Sequence, residues 1–417
     1  MHPRVCSPIR SWSRLLLVLA GLAPSSVTAA EPALLSSPAP APTPTPTPTP
    51  APAPTPAPAP APAAVAVGGY LEAYYQWNLG RASNGITALR GFDNRDRTLT
   101  LSNVALAVTA RRGPLAMLVI AQFGATGAAY YLAEPALPGG PGVAATGPAL
   151  WQYVQQATAT YAAPRGFTAE AGLFPSPIGP EVLAVKDNWN WSRSDLFFGL
   201  PFYHSGARVS HSLGGLWTGT LALYSGWNSV VDNNRTPSVA ASAAYASPRV
   251  TAQVLYFGGS ERPRGALEGQ AWRHLGDAYA TVALTSVTSV TAHVDAGLES
   301  NTIGKSGWLA GALYGKVQLA PWLYGAARAD YFREYVPTSA GATATALFWP
   351  SAWIGSGTAT LALQPAPGLS VRVELRHDRA AGDSFFGGTV EGDGASSPYA
   401  PNRRTQTTVT AGVTTWF

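Results

Sequence analysis

The chain has 417 residues, with 27 Lys and Arg against 22 Asp and Glu, and only 12% of its residues are charged. Three of the basic residues, Arg4, Arg10 and Arg14, lie at the N-terminus. Removal of those three leaves 24 basic against 22 acidic residues, a nearly neutral chain without the basic surface that nucleic-acid binding requires.

The N-terminus has the three regions of a secretory signal peptide. Three arginines precede an apolar run over residues 15–23, and small residues follow at positions 27–30. We predict a signal peptide over residues 1–30, cut after Ala29 or Ala30, because the apolar run is too short to cross a bilayer. The single cysteine, Cys6, lies in this segment, so the mature protein has no disulfide or thiolate metal site.

A linker rich in Pro, Ala and Thr follows over residues 31–67, and between residues 38 and 64 almost no other residue type occurs. Such a sequence cannot form a core, and it favours disorder or polyproline II, a semi-rigid spacer rising about 3.1 Å per residue. Two interpretations stay open: a passive periplasmic tether, which the lack of charged or aromatic anchors favours, and a segment that reaches the cell wall or a partner.

From residue 68 to 417 many short segments alternate apolar with polar residues. Residues 290–299 and 406–417 are the clearest examples. Too few other residues remain to cover so many apolar faces, which indicates a barrel with lipid outside and water inside. Seven short turns alternate with eight longer connections. The predicted fold is therefore an all-β, transmembrane, antiparallel up-and-down barrel of about sixteen strands, with short periplasmic turns and long external loops.

Aromatic residues support the membrane barrel over a soluble β-sandwich or propeller. They fall near both ends of the predicted strands, as two interfacial belts would. The belt at the long loops comprises Trp77, Trp151, Tyr153, Trp227, Tyr256, Tyr331 and Trp353, and the belt at the short turns Tyr161, Trp217, Trp322 and Phe417.

Several motifs carry a family resemblance. They are GYLEAYY at residues 69–75, LRGFDNR at 89–95, GLFPSPIGPEV at 172–182, KDNWN at 186–190, SRS at 192–194, PFYHSG at 201–206, DNNR at 232–235 and WRH at 272–274. From about residue 68 to 417 the chain resembles a family of β-barrel porins of Gram-negative bacteria. The resemblance implies an outer-membrane channel for small solutes and provides no catalytic residues.

The last strand ends on Phe417, with apolar residues at alternate positions before it. This pattern resembles the signal that the outer-membrane assembly machinery reads. The alternative is an interfacial anchor for the last strand, and both interpretations predict that deletion of Phe417 impairs assembly.

Alternation also predicts which charged residues face the lumen. The predicted wall residues are Glu72, Asp295, Arg328, Asp330, Arg372, Glu374, Arg376 and Arg404. In a water-filled lumen such charges shape the field that ions meet, although salt bridges between neighbouring strands would be a purely structural role. Their signs are mixed, so the wall itself predicts neither cation nor anion selectivity.

The third loop, over residues 175–204, is the candidate constriction. Its charged residues are Glu181, Lys186, Asp187, Arg193 and Asp195. In sixteen-strand general-diffusion porins this loop folds inward, and by that analogy we expect it to narrow the pore and Arg193→Ala to shift selectivity toward cations. An external lid or a subunit contact is the alternative.

The predicted function is an outer-membrane porin for passive diffusion of small hydrophilic solutes and ions. The alternatives are a structural or cell-wall-tethering barrel and a sugar-type channel with Tyr74, Tyr279 and Tyr314 as a stacking track. An enzyme is disfavoured because the chain has no Gly-x-Ser-x-Gly, no His-Glu-x-x-His and no clustered metal ligands, and we predict no cofactor or metal.

The predicted partners are outer-membrane lipid and lipopolysaccharide, the barrel assembly machinery and small solutes, with no nucleic acid. A homotrimer and a cell-wall contact through the linker stay open, since no residue pattern marks an interface.

Overall fold

A computed structural model describes residues 64–417, in which sixteen antiparallel strands close into one barrel and two short strands form a separate hairpin. The barrel strands are β1 (Ala64–Asn78), β2 (Thr100–Arg112), β3 (Leu115–Phe123), β4 (Val154–Ala162), β5 (Phe167–Pro175), β6 (Tyr203–Gly214), β7 (Trp217–Tyr224), β8 (Ser238–Ala246), β9 (Val250–Ser260), β10 (Trp272–Ala283), β11 (Thr288–Ser300), β12 (Lys305–Ala320), β13 (Leu323–Tyr335), β16 (Trp353–Ala366), β17 (Leu369–Ala380) and β18 (Thr405–Trp416). The hairpin consists of β14 (Thr338–Ser339) and β15 (Ala342–Thr343).

Eight loops at one end alternate with seven short turns at the other, and every loop except the four-residue L6 is longer than the turns. The loops are L1 (79–99), L2 (124–153), L3 (176–202), L4 (225–237), L5 (261–271), L6 (301–304), L7 (336–352) and L8 (381–404). In residues 64–417 the α-helices are short and lie in the loops: α1 (Ala125–Tyr130) and α2 (Pro148–Trp151) in L2, and α3 (Asp195–Phe198) in L3. The predicted strand number is confirmed, and so is the two-length connection pattern except at L6, which is as short as a turn.

The first and last strands close the barrel. β1 pairs with β2 on one side and with β18 on the other, and Glu72 lies opposite Thr414. The last residue continues this pairing, because the Phe417 N–H donates to the Gly69 carbonyl at 3.2 Å and the Gly69 N–H to the Phe417 carbonyl at 3.3 Å. No sheet edge is therefore left in the barrel.

Side chains alternate across the wall as the period of two requires. In β17 the side chains of Val371, Val373 and Leu375 are exposed on the outer face, while those of Arg372 and Glu374 are buried inside. Apolar groups thus face outward and polar groups inward, the reverse of a water-soluble barrel. None of the helices described is both long and apolar enough to span a membrane.

Most members of the predicted aromatic belts are exposed near the strand ends, but Trp151 is half-buried against the cluster of Tyr130, Tyr131 and Tyr203. Trp77, Tyr256 and Tyr331 are exposed near the long loops, and exposed rings at the short-turn end are Tyr161, Trp217, Trp322 and Phe417. The assignment of Trp227 to the outer belt is wrong, because its ring packs inside the barrel, 5.7 Å from that of Phe257.

Other boundaries differ slightly from the prediction. β1 begins at Ala64, four residues inside the predicted linker, because these residues pair with β2 up to Arg111. The β14–β15 hairpin in L7 is not apparent from the sequence pattern. The predicted signal peptide and most of the predicted linker lie outside the described residues.

Candidate functional site

L3 lies inside the barrel, where inward-facing carboxylates of the wall bind its backbone. Glu374 of β17 accepts the N–H of Trp191 at 2.6 Å and that of Ser192 at 3.0 Å. Glu72 of β1 accepts the N–H of Val185 at 2.6 Å. Because each carboxylate is buried, these hydrogen bonds supply partners that water would otherwise provide.

Arginines of the wall bind the carbonyl groups of the same loop. Arg328 of β13 donates to the Ser192 carbonyl at 2.6 Å, to Glu181 at 3.2 Å and to its strand neighbour Asp330 at 2.7 Å. Arg372 of β17 donates to the Val185 carbonyl at 2.7 Å. Guanidinium groups suit this role because each can donate several hydrogen bonds in one plane.

A third arginine joins L3 to L1 through an acidic residue of the wall. Arg376 of β17 lies 2.7 Å from Asp195 of α3 and 2.6 Å from Asp378, and Asp378 also binds Arg90 of L1 at 2.9 Å. Burial, together with the neighbouring Asp330 carboxylate, raises the pKa of Asp195 well above its usual range, although Arg376 opposes the shift. L1 and L3 therefore share one buried ionic network.

Trp191 of L3 packs against the backbone of the wall. A Cβ atom at Gly412 of β18 would lie 2.3 Å from the Trp191 ring, so only glycine leaves room for the indole. The ring of Tyr74 lies 6.1 Å from that of Trp191, and both side chains are buried. The close approach of loop and wall thus depends on a glycine that faces the lumen.

The first residues of L3 contact two further strands of the wall, β9 and β10. Near its start, the Gln253 amide of β9 donates to the Pro177 carbonyl at 2.9 Å, and the Gly179 N–H donates to Asp277 of β10 at 3.3 Å. Asp277 in turn contacts His293 of β11 at 2.6 Å. The loop is bonded to the wall from β9 through β17 to β1.

The wall from β3 to β9 is less covered. A cavity of about 240 Å³ lies along β5 to β9 and is lined by Glu170, Arg208, Ser210, Thr220, Ser242 and Gln253, among others. Glu170 and Arg208 pair across neighbouring strands at 2.6 Å, with 19% and 24% of their side chains exposed. Polar side chains therefore reach open space on this side of the lumen.

Comparisons with known proteins agree with this architecture. The family model described as "Putative beta-barrel porin-2, OmpL-like" matches residues 64–417. The chain belongs to this porin family.

Solved structures share the fold of this porin. The outer membrane channel DcaP of Acinetobacter baumannii matches with a TM-score of 0.52 at 10% identity, over 85% of this chain and 97% of that chain. The anion-selective porin from Comamonas acidovorans gives a TM-score of 0.53 at 10% identity, over 85% and 100%. OmpT of Vibrio cholerae gives 0.52 at 9% identity, over 85% and 98%. No curated protein matches significantly.

The five charged residues predicted in L3 have different surroundings. Glu181, Arg193 and Asp195 are bonded within the protein: Arg193, only 2% exposed, donates to the carbonyl groups of Val182, Leu183 and Trp191. Lys186 and Asp187 form an exposed pair at 2.9 Å, with 26% and 53% of their side chains accessible. Among the five charged residues of L3, these two are the most exposed to solvent.

Seven of the eight predicted wall residues of this porin face inward, and none of the seven is more than 6% exposed. Arg404 is the exception. It precedes β18 in L8, its side chain is 69% exposed, and it lies 3.7 Å from Asp383. Its assignment to the lumen wall is wrong, because the strand starts one residue later and the loop directs this side chain to solvent.

The predicted tyrosine track is not an open surface. Tyr74 and Tyr314 are 1% and 7% exposed, and the Tyr314 hydroxyl donates to Glu181 at 3.0 Å. Tyr279 is half-buried. Tyr74 and Tyr314 pack against or bond to L3, so the three rings offer no continuous face for sugar stacking.

The sequence analysis did not identify Glu170 and Arg208. A usable signal exists, since they are the only charged residues in the strands from β3 to β9. A lone acid and a lone base on neighbouring strands of an otherwise uncharged wall would have indicated a cross-strand pair.

Proposed function

We propose that this porin is a channel for passive diffusion of small hydrophilic solutes and ions, with L3 as its constriction. The supporting observation is the uneven lumen. L3 covers the wall from β10 to β1, while Glu170, Arg208 and the hydroxyl groups beside them on β4 to β8 stay partly exposed. A polar opening narrowed on one side selects solutes by size and polarity. Family membership supports the same role.

Single-channel recording tests the channel itself. The refolded full chain in a planar bilayer should give discrete conductance steps, because a partly hydrated lumen conducts ions. Correctly folded protein that gives no steps would contradict the proposal.

The exposed Lys186–Asp187 pair allows a separate test of whether L3 narrows the pore. In a chain carrying Cys6→Ser, Asp187→Cys places a thiol on the solvent-facing side of the loop. Reaction with a bulky thiol reagent should lower the conductance. The matched control is Glu391→Cys, an exposed acidic position in L8. Equal effects at the two positions would remove L3 from the conduction path.

A structural barrel is the second candidate, and one observation favours it. At the long-loop end the lumen contains a buried aromatic cluster that includes Phe257, Trp308, Phe332 and Trp349. Such packing stiffens the barrel and fills space that water would occupy in an open pore. Silent but folded protein in the bilayer experiment would favour this candidate.

The proposal places the porin in the outer membrane of a Gram-negative cell, exported by a signal peptide over residues 1–30 and assembled by the barrel assembly machinery. In this proposal Phe417, which continues the pairing of β18 with β1 through its bonds to Gly69, is the assembly signal. A trimer form of OmpT is among the matching structures, which supports a homotrimer here. The linker would act as a tether or as a contact with the cell wall, and no catalytic reaction is assigned.

A further inference from the structure

The ion pairs of the barrel wall differ sharply in their access to solvent. In the pairs Arg328–Asp330 and Arg376–Asp378 no side chain is more than 1% exposed. In the Glu170–Arg208 pair the values are 19% and 24%. Among the wall pairs in residues 64–417, this one alone has both partners open to the lumen.

On the strands from β3 to β9 the surroundings of this pair are polar and contain no other Asp, Glu, Lys or Arg. Arg111 and Arg112, at the end of β2, line a cavity that also includes Glu170 and Arg208. Inward-facing hydroxyl and amide groups flank it on β4 to β9, and most are half-buried: Thr160, Thr168, Ser210, Thr220, Ser242 and Gln253. Hydroxyl groups both donate and accept hydrogen bonds, so they can replace part of the hydration of a solute that carries hydroxyl groups itself.

The pair is also held in place. The Arg208 guanidinium lies 4.5 Å above the Phe174 ring, and Glu170 accepts from Thr160 at 3.3 Å as well as from Arg208 at 2.6 Å. A fixed pair of opposite charges has no net charge but a strong local dipole. It therefore repels neither cations nor anions as a single charge would, and it can orient a polar solute.

We propose that solutes cross this porin along the β3–β9 side of the lumen, that the Glu170–Arg208 pair is its selectivity element, and that the preferred solutes are small, uncharged and hydroxylated. This inference rests on the proposed channel function. L3 then bounds the path on the side that faces the Glu170–Arg208 pair, and it is not the source of the charge selectivity.

Ion selectivity gives the first test. Wild-type protein should have a reversal potential near zero in a KCl gradient. Glu170→Gln leaves Arg208 unpaired and should shift selectivity toward anions, and Arg208→Gln should shift it toward cations. One unscreened charge a few ångströms from an ion changes its local concentration by about fivefold, so we expect permeability ratios to change by about that factor.

Matched controls remove the same charges from exposed positions of a loop instead of the barrel wall. Glu391→Gln and Arg404→Gln alter exposed residues of L8 and should leave the reversal potential unchanged. If the wild type conducts but neither Glu170→Gln nor Arg208→Gln shifts the reversal potential, the inference is wrong while the channel function stands. If the folded wild type does not conduct, the channel function itself is wrong.

Thiol labelling locates the path independently of charge. In the Cys6→Ser background, Ser242→Cys lies on the open side and Thr358→Cys on the side that L3 covers, where Thr358 is 5% exposed. A bulky, water-soluble thiol reagent should reduce the current of the first variant and not of the second. Block of Thr358→Cys alone would place the path on the other side and overturn the inference.

Liposome swelling tests the class of solute. Arabinose should enter proteoliposomes faster than potassium gluconate, because the path offers hydroxyl partners but no net charge. Equal or faster entry of gluconate would contradict the preference for uncharged solutes.

Discussion

At the scale of single residues, the lumen of this porin contains many charges that do not meet water. Arg328, Arg372 and Arg376 are each at most 3% exposed, and each has carboxylate or carbonyl partners. Removal of one member of a buried pair is costly because the remaining charge loses its partner without regaining water. These residues therefore stabilise the position of L3 more directly than they shape a field for ions.

Arg328→Gln should destabilise the porin by about 3–5 kcal/mol, because Asp330 and Glu181 would both lose a buried cationic partner. Urea unfolding of the refolded barrel in detergent measures the free energy. Arg333→Gln is the control, since Arg333 is exposed on the same strand and should cost less than about 0.5 kcal/mol. Similar losses in the two variants would contradict the assigned role.

Gly412→Ala should destabilise the contact between β18 and L3, because the added Cβ would lie 2.3 Å from the Trp191 ring. Overpacking of this kind costs about 1–3 kcal/mol. Gly315→Ala is a suitable control, as nothing lies within 4 Å of its added Cβ. The urea concentration at the unfolding midpoint should be lower for Gly412→Ala than for Gly315→Ala. Equal midpoints would contradict the contact between Gly412 and Trp191.

At the scale of elements, the strands were predictable and the loop positions were not. Alternation identifies a strand because lipid and lumen impose opposite chemistry on successive side chains. β3 alternates weakly because its inward residues Leu118 and Ile120 are also apolar, yet its pairing with β2 and β4 still forms. The burial of Arg193 could not be predicted, since it depends on how L3 folds back on its own carbonyl groups.

That burial changes what Arg193→Ala should do. The guanidinium contacts loop carbonyl groups and lies 5.2 Å from the Phe92 ring, so its loss should disorder L3 rather than remove a charge from the path. We expect faster proteolysis within residues 176–202 than in the wild type. The reversal potential should shift less than in Arg208→Gln, and a larger shift would restore Arg193 as a selectivity residue.

The closing strand offers a test that separates assembly from stability. Phe417 bonds to Gly69 through its backbone, whereas its ring is 80% exposed on the outside. Phe417→Ala keeps the backbone bonds, so the purified variant should refold in detergent nearly as well as the wild type. If Phe417 is an assembly signal, the amount of the variant in the outer membrane of cells should fall. A normal amount there would mean that the ring acts only as an anchor at the membrane interface.

At the scale of the whole molecule, the barrel has two unlike sides and two unlike ends. Buried ion pairs and L3 occupy the side from β10 to β1, and an uncharged polar wall with one open ion pair occupies the other. The sequence analysis predicted a polar lumen but not this division. The strands from β3 to β9 carry only Glu170 and Arg208 as charged residues, but the coverage of the other side depends on how L3 folds. Only the partners of a charged residue distinguish a structural charge from an accessible one.

The long-loop end also depends on a buried arginine. Arg262 of L5 lies 2.9 Å from Glu299 of β11 and donates to the Thr345 carbonyl of L7 at 3.2 Å, so it holds two loops over the mouth. Arg262→Gln should loosen L7 and leave Glu299 with fewer partners, since a neutral amide cannot replace the charge. We expect a larger and noisier single-channel conductance, because the mouth would open more often. The control is Arg264→Gln, which removes the charge of an exposed arginine in the same loop and should keep wild-type conductance. An identical conductance change in both variants would mean that the charge of L5, and not the bond to Glu299, controls the mouth.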